Sequence, residues 1–400
     1  MWAKLADHFL RKIIKNGELR ITWPDGSEAK YGDRVGIFSA IHIHDPALAR
    51  KLVLNPELAI GEAYMDETLT IAEGDLAGFM TLVATNARDH GVGHMKTAAT
   101  GARTILRQIA QNNPLPVARK NVEIHYDLST DMYELFLDKD LQYTCGYFKD
   151  PGMTLEESQD AKKAHIARKL CLKPGMRVLD IGCGWGGMAL TLARDYGVHV
   201  TGVTLSIEQV KYARARAQAE GLTDKVEFKL LDYREVSETF DRIVVVGMLE
   251  HVGQPQYGTF FGKIKQNLKQ DGIAMVHVIG RSTPPGRTSP WLHKYIFPGG
   301  YTPALSEVSR EIEKKRLVVT DVEVWRSHYA RTVQHWIDRF EANLDPIRDM
   351  YDDRFLRMWR YYLIASEISL TELGMCIFQY QITHHPMAAP ITRDYIYAQD

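Results

Sequence analysis

Apolar and polar positions alternate in two rhythms along this chain. Short β-branched runs recur at 177–181, 199–203, 226–230, 243–246 and 272–279. The run at 243–246, Ile-Val-Val-Val, is unbroken, as expected for a central parallel strand buried on both faces. Helical patterns lie between them. One runs from the capping box Thr154-Leu-Glu-Glu157 to about residue 172, one from the Gly-rich loop 182–187 to Tyr196, and one over 206–220. Strand and helix in alternation from about residue 121 predict an α/β, Rossmann-like wound sheet. Two later runs, 317–325 and 375–382, predict an antiparallel pair separated by about fifty residues. In that gap Tyr329, Val333, Trp336, Ile337 and Phe340 share one helical face, which predicts a helical insertion at about 326–370 of a domain spanning 121–400.

Residues 1–85 read differently. Two short runs flank Pro24-Asp25-Gly26 and predict a β-hairpin, Ile41–His44 alternates as a strand, and helical patterns follow over 46–54 and 76–84. This is a small α+β domain without an evident catalytic cluster. A connector over 86–120 carries Arg88, Lys96, Arg103, Arg107, Arg119 and Lys120 against Asp89 alone. It is either a solvated linker or a contact for anionic lipid headgroups.

Composition narrows the class. With 49 Lys+Arg against 50 Asp+Glu, the net charge is -1, so no global basic field recruits nucleic acid. No apolar run approaches the roughly 20 residues of a membrane span, and the first residues form no signal-peptide core. A cytoplasmic protein is expected. Its four cysteines, Cys145, Cys171, Cys183 and Cys376, include no C-x-x-C pair, and no metal site is expected.

The chemistry gathers at Val178-Leu-Asp-Ile-Gly182-Cys-Gly184-Trp-Gly186-Gly187, a Gly-rich turn between strand and helix where backbone can approach a ligand. Gly182, Gly184 and Gly187 satisfy G-x-G-x-x-G, so a dinucleotide is one reading. Two features weigh against it. No acid lies about 20 residues on to hold a ribose 2′-OH, the chain there reading Thr204-Leu205-Ser206. Asp180, at the end of the strand, suits a loop-capping role, a cationic ligand such as S-adenosylmethionine, or both.

The strings VLDIGCGWGG, GVTLSIEQ (202–209), GMLEHVG (247–253), YDLSTDMYELFLDKDLQYTCGYF (126–148), HVIG (277–280) and IFPGGYTP (296–303) together resemble the cyclopropane-fatty-acyl-phospholipid synthase family. GEAYMDETLT, starting at Gly61, resembles the extension of its phospholipid-acting bacterial members. The resemblance implies a class I methyltransferase fold and a cofactor site for S-adenosylmethionine made by Tyr143, Thr144, Asp180, Gly182, Gly184, Gly186, Thr204, Leu205, Gln209, Asp232 and Tyr233. It also implies a bound bicarbonate as base, with Cys145, Glu250, His277, Ile279 and Tyr329 as its ligands.

Cyclopropanation needs water excluded, positive charge stabilised and a proton accepted. Tyr301, Tyr329, Trp336 and Phe148 are the aromatic candidates for the second task. Cys145 reads as a wall residue, because methyl transfer to an alkene needs no covalent enzyme intermediate. Glu250 beside an anion requires that it or His277 be protonated. The expected partners are acyl chains of membrane phospholipids, met peripherally at the inner face of the cell membrane; a homodimer is left open. A methyl- or methylene-branched product and a small-molecule methyltransferase are the alternatives.

Overall fold

The computed structural model describes residues 1–90 and 129–397; nearly all of the basic connector lies outside them. The chain forms two compact units, one from Met1–Leu106, Thr288–Pro298 and Trp336–Met375, the other from Arg107–Arg287, Gly299–His335 and Cys376–Asp400.

In the first unit, β1 (Glu18–Thr22) and β2 (Glu28–Gly32) pair antiparallel around the expected turn. Asp25 accepts the Ser27 amide at 3.0 Å there, and Gly26 takes the left-handed φ of +80° that closes the hairpin. β3 (Phe38–Ile43) runs parallel to β1 and antiparallel to β4 (Leu69–Glu73), giving the order β2-β1-β3-β4. The helical insertion departs from the sequence expectation. From Trp336 onward it belongs to this unit and not to the sheet domain. The cause is apolar matching: the Asp353–Thr371 helix packs on the Leu76–His90 and Pro56–Met65 helices, burying Trp359, Tyr361 and Leu363. The Pro290–Tyr295 helix joins them through Trp291, which is 1% exposed and donates to Met65 Sδ at 3.3 Å. Gly61 makes room for that indole, since a Cβ there would come within 2.4 Å of it.

The second unit is one seven-stranded sheet built from β5 (Arg177–Ile181), β6 (His199–Thr204), β7 (Val226–Leu230), β8 (Phe240–Val246), β9 (Leu268–Arg281), β10 (Val318–Trp325) and β11 (Met375–Thr383). Their order is β10-β11-β9-β8-β5-β6-β7. The β7-β6-β5-β8-β9 run is parallel, and β10 and β11 pair antiparallel as the sequence suggests. One face is filled by Phe260, Phe261 and Ile264 against Ile243 and Val245, the other by Leu190, Leu192 and Ala213 against Val178 and Val244. The chain leaves β5 in one direction for β6 and β7, then returns to the other side for β8 and β9. Ligands bind α/β sheets at the carboxyl ends beside such a reversal, here between β5 and β8. No helix among the described residues is long and apolar enough to cross a membrane.

Candidate functional site

Asp180, near the carboxyl end of β5, is 2% exposed, and its Oδ2 finds no hydrogen-bond partner among the described residues. Burial pushes its carboxyl group up to about 7. A cationic ligand brought beside it would restore its charge. The turn that follows bends through left-handed glycines. Gly182 (φ +81°) donates to Val203 O at 2.9 Å, which ties the loop to β6. At Gly184 (φ +53°) an added Cβ meets nothing within 4 Å, so open space lies over this backbone. Gly186 caps the Gly187–Tyr196 helix. Gly184→Val should therefore cost only the roughly 1–2 kcal/mol of a left-handed side chain while filling the space a ligand needs. Calorimetry should find S-adenosylmethionine binding lost from a protein that still melts cooperatively.

At the end of β6, Thr204 Oγ1 donates to Gln209 Oε1 at 2.8 Å, and Leu205 is half-buried beside it. Ser206 caps the Ile207–Ala219 helix by accepting the Gln209 amide. The side chain of Gln209 thus turns to Thr204, so the two polar groups form one unit. After β7, Asp232 is clasped by Arg234 through Nε at 2.8 Å and Nη2 at 2.7 Å. Arg234, not expected at the site, thereby fixes this carboxylate. Tyr233 packs edge-on against Phe260, with ring centroids 5.5 Å apart, and is largely a core residue.

A second cluster lies beyond β8 and along β9. Glu250, in the short Leu249–Val252 helix, is 6% exposed. Its Oε1 accepts the Ile279 amide at 2.6 Å, whereas Oε2 is buried without a partner among the described residues. Burial pushes this carboxyl group up to about 7. The Ile279 amide thereby orients Glu250. His277 is fully buried against the edge of Trp325, at 5.3 Å between ring centroids. Burial first, then the charges of Lys162 and Lys169, hold its pKa well below the ordinary value. Gln379 Nε2 lies 3.0 Å from Nδ1 and donates to it, which assigns the neutral ring's proton to Nε2.

The 141–146 loop lies against the end of β8, since a Cβ on Gly247 would come within 2.8 Å of Thr144 Cγ2. Tyr143 packs against Tyr133 and Phe136. Thr144 Oγ1 accepts from Lys162 and its carbonyl from Gln159, at 2.7 and 2.8 Å. Cys145 is 1% exposed; desolvation pushes its thiol far up, and Sγ donates to Gly146 O at 3.2 Å. Such a thiol makes a wall rather than a nucleophile. Tyr329 is buried near the start of the His328–Ala342 helix, and Thr332 of that helix accepts the Gly146 amide at 2.9 Å. Of the other aromatic candidates, Tyr301 and Phe148 already carry Arg281 and Arg331 over their rings, and Trp336 falls in the other unit.

The expected residues thus fall mainly into two groups, one at the ends of β5, β6 and β7, the other, with Glu250, His277 and Ile279, after β8 and along β9. Sequence reasoning missed Lys162, Gln159, Gln379 and Trp325. The signal for the first two was a mixed polar and apolar stripe, Gln159, Lys162, Ile166 and Lys169, on the buried side of one helix.

Residues 115–380 match the family model for mycolic acid cyclopropane synthetase, and residues 6–91 match a domain of unknown function (DUF7884). The chain is 39% identical over 325 residues to the cyclopropane-fatty-acyl-phospholipid synthase of Escherichia coli (strain K12), covering 81% of this chain and 82% of that one. It is 31% identical over 396 residues to the tuberculostearic acid methyltransferase UfaA1 of Mycobacterium tuberculosis (strain ATCC 25618 / H37Rv), covering 95% and 91%. Among solved structures it resembles mycolic acid cyclopropane synthase CmaA1 complexed with SAH and CTAB, with a TM-score of 0.63 and 30% identity over 66% of this chain and 97% of that one.

Proposed function

This chain belongs to the mycolic acid cyclopropane synthetase family of S-adenosylmethionine-dependent methyltransferases that modify fatty acids, and we propose that it forms cyclopropane rings on unsaturated acyl chains of membrane phospholipids, with bicarbonate as the base. The observation that carries the reading is the Glu250–His277 cluster, which buries proton-handling groups beside a cofactor edge and offers no nucleophile.

The cofactor edge fits S-adenosylmethionine on the structure's own terms. The orphaned Asp180 oxygen suits a cationic ligand, the open space over Gly184 admits one, and the Thr204–Gln209 pair and Asp232 offer polar groups for its ribose and adenine ends. When bound, this cofactor supplies an electrophilic methyl carbon. The chain's own contribution is to exclude water around an alkene, a feeble nucleophile, and to hold carbon against carbon. Tyr143, Cys145 and Tyr329 serve as walls, and the Tyr329 ring can face developing positive charge on the acyl chain.

Loss of one proton from the transferred carbon then closes the ring. The base cluster fits an anion. A neutral His277 offers Nε2–H, and Glu250, whose carboxyl burial pushes up to about 7, offers in its acid form a hydrogen in place of a repelling charge. When bound there, bicarbonate supplies the proton acceptor, held by these two side chains with Cys145 and Tyr329 closing the site. The phospholipid substrate implies peripheral attachment at the cytoplasmic membrane face, to which the basic sequence over 86–120 is suited.

Mass spectrometry of lipids from cells making this protein tests the product. Monounsaturated chains should gain one CH2 group and keep that mass through catalytic hydrogenation. A product that takes up hydrogen is methylene-branched, and one already heavier by two hydrogens is methyl-branched, the outcome to which the similarity to a tuberculostearic acid methyltransferase points.

A further inference from the structure

Lys162 is fully buried, at 0% exposure, on the inner side of the Leu155–Lys169 helix. Its ammonium donates to two neutral oxygens, Gln142 Oε1 and Thr144 Oγ1, each at 2.7 Å. Among the described residues no carboxylate reaches it within ion-pair distance. Asp140 is held instead by Lys163 and Arg216, both at 2.6 Å, and Asp138 accepts the backbone amides of Asp140 and Gln142. A buried cation without an ion-pair partner is costly, and here Asp138 and Asp140 offset that cost only from a distance. The field of Lys162 falls on two proposed members of the base cluster, the Cys145 thiol and the His277 ring. Glu250 in either protonation state and a neutral His277 ring supply no positive charge themselves.

We propose that Lys162 is a positioning residue for the reaction: its ammonium anchors the 141–146 loop through Thr144 and Gln142 and supplies the countercharge for the proton-accepting anion at Glu250 and His277. This rests on the bicarbonate reading above. Burial lowers the pKa of Lys162 to about 8, so the group is mostly charged at neutral pH; Asp138 and Asp140 favour that charge and Lys163 opposes it. The same ammonium thus orders the loop and offsets the anion's charge.

Lys162→Met removes charge and donor, and Lys162→Gln keeps a donor without charge. In carbonate-depleted assays with bicarbonate added back, the wild type should saturate. Both variants should need at least about tenfold more bicarbonate for half-maximal rate, one lost charge-assisted contact of about 1.5–3 kcal/mol. Their KM for S-adenosylmethionine should rise less than the bicarbonate requirement, since the loosened Thr144 is one cofactor contact among many, and kcat at low bicarbonate should fall, a split that general loosening does not produce. A folded Lys162→Gln protein with wild-type bicarbonate dependence overturns the proposal while leaving bicarbonate as base. A wild type indifferent to bicarbonate after the anion is removed overturns both. If neither variant melts cooperatively, Lys162 is a structural residue and the proposal falls with them.

Discussion

Glu250→Ala lowers turnover by about 10²–10⁴-fold and leaves S-adenosylmethionine affinity near wild type, the pattern expected when a group serves proton transfer alone. The Glu250 carboxyl group accepts the Ile279 amide through Oε1, and its Oε2 is buried without a partner among the described residues. On the proposed function, removing it would strip the bicarbonate of a hydrogen donor, and it would leave the Ile279 amide without its acceptor. Glu250→Gln should be much milder, because its amide keeps an acceptor for Ile279 and a donor for the anion. His277→Ala should resemble Glu250→Ala. The pH dependence has a definite sign. Because burial raises the Glu250 carboxyl to about 7, its acid form prevails below that pH, and turnover should fall as pH climbs through it. Initial rates from pH 6 to 8 at fixed bicarbonate check this: a rate rising with pH, or a Glu250→Gln protein as inactive as Glu250→Ala, would make the carboxylate itself the base.

Asp180→Asn should weaken S-adenosylmethionine binding by about 10- to 100-fold, the range of a lost charge-assisted hydrogen bond in a dry setting. It should change kcat at saturating cofactor far less. In the free protein the Asp180 carboxyl titrates near 7 because burial disfavours its charge. A bound cation lowers that value, so binding expels a proton and affinity rises with pH up to about 7. Stability runs the other way. A carboxyl group with a raised folded-state pKa contributes stability below its ordinary pKa, and that contribution is lost as pH climbs to about 7. Titration calorimetry at pH 6.5 in two buffers of different ionisation enthalpy should detect proton release for the wild type and none for Asp180→Asn. Equal proton release from both proteins would assign it to another group.

The parallel sheet was legible because each of its strands is a short apolar run set off by helical periodicity. Arg177–Ile181 and Val226–Leu230 have the same bounds in sequence and structure. Glycines and capping residues marked the loop positions as well, since Gly182, Gly186 and Ser206 act through local geometry. Partnerships across long separations were not legible. The hydrogen bond from Gln379 to His277 joins β11 to β9 across 102 positions, and Gln379 looks like an ordinary strand residue. Lys162 hides in a helix whose charged composition suggests a solvated surface, although tertiary packing buries it. The insertion was recognisable as helical, but periodicity names no partner for an apolar face. It is the later Asp353–Thr371 helix of the insertion that packs with helices from the amino-terminal domain.

The first unit is assembled from three stretches of chain, the last ending at Met375. Its native core therefore cannot close while the ribosome is still making the sheet. Translation at roughly 5–20 residues per second would leave the amino-terminal helices waiting some 15–50 s for the Trp359-bearing helix after their own synthesis. During that interval the surfaces destined for Trp291 and Trp359 stand open to solvent. The yield of folded protein should therefore depend on the pace of elongation as well as on the stability of the finished fold.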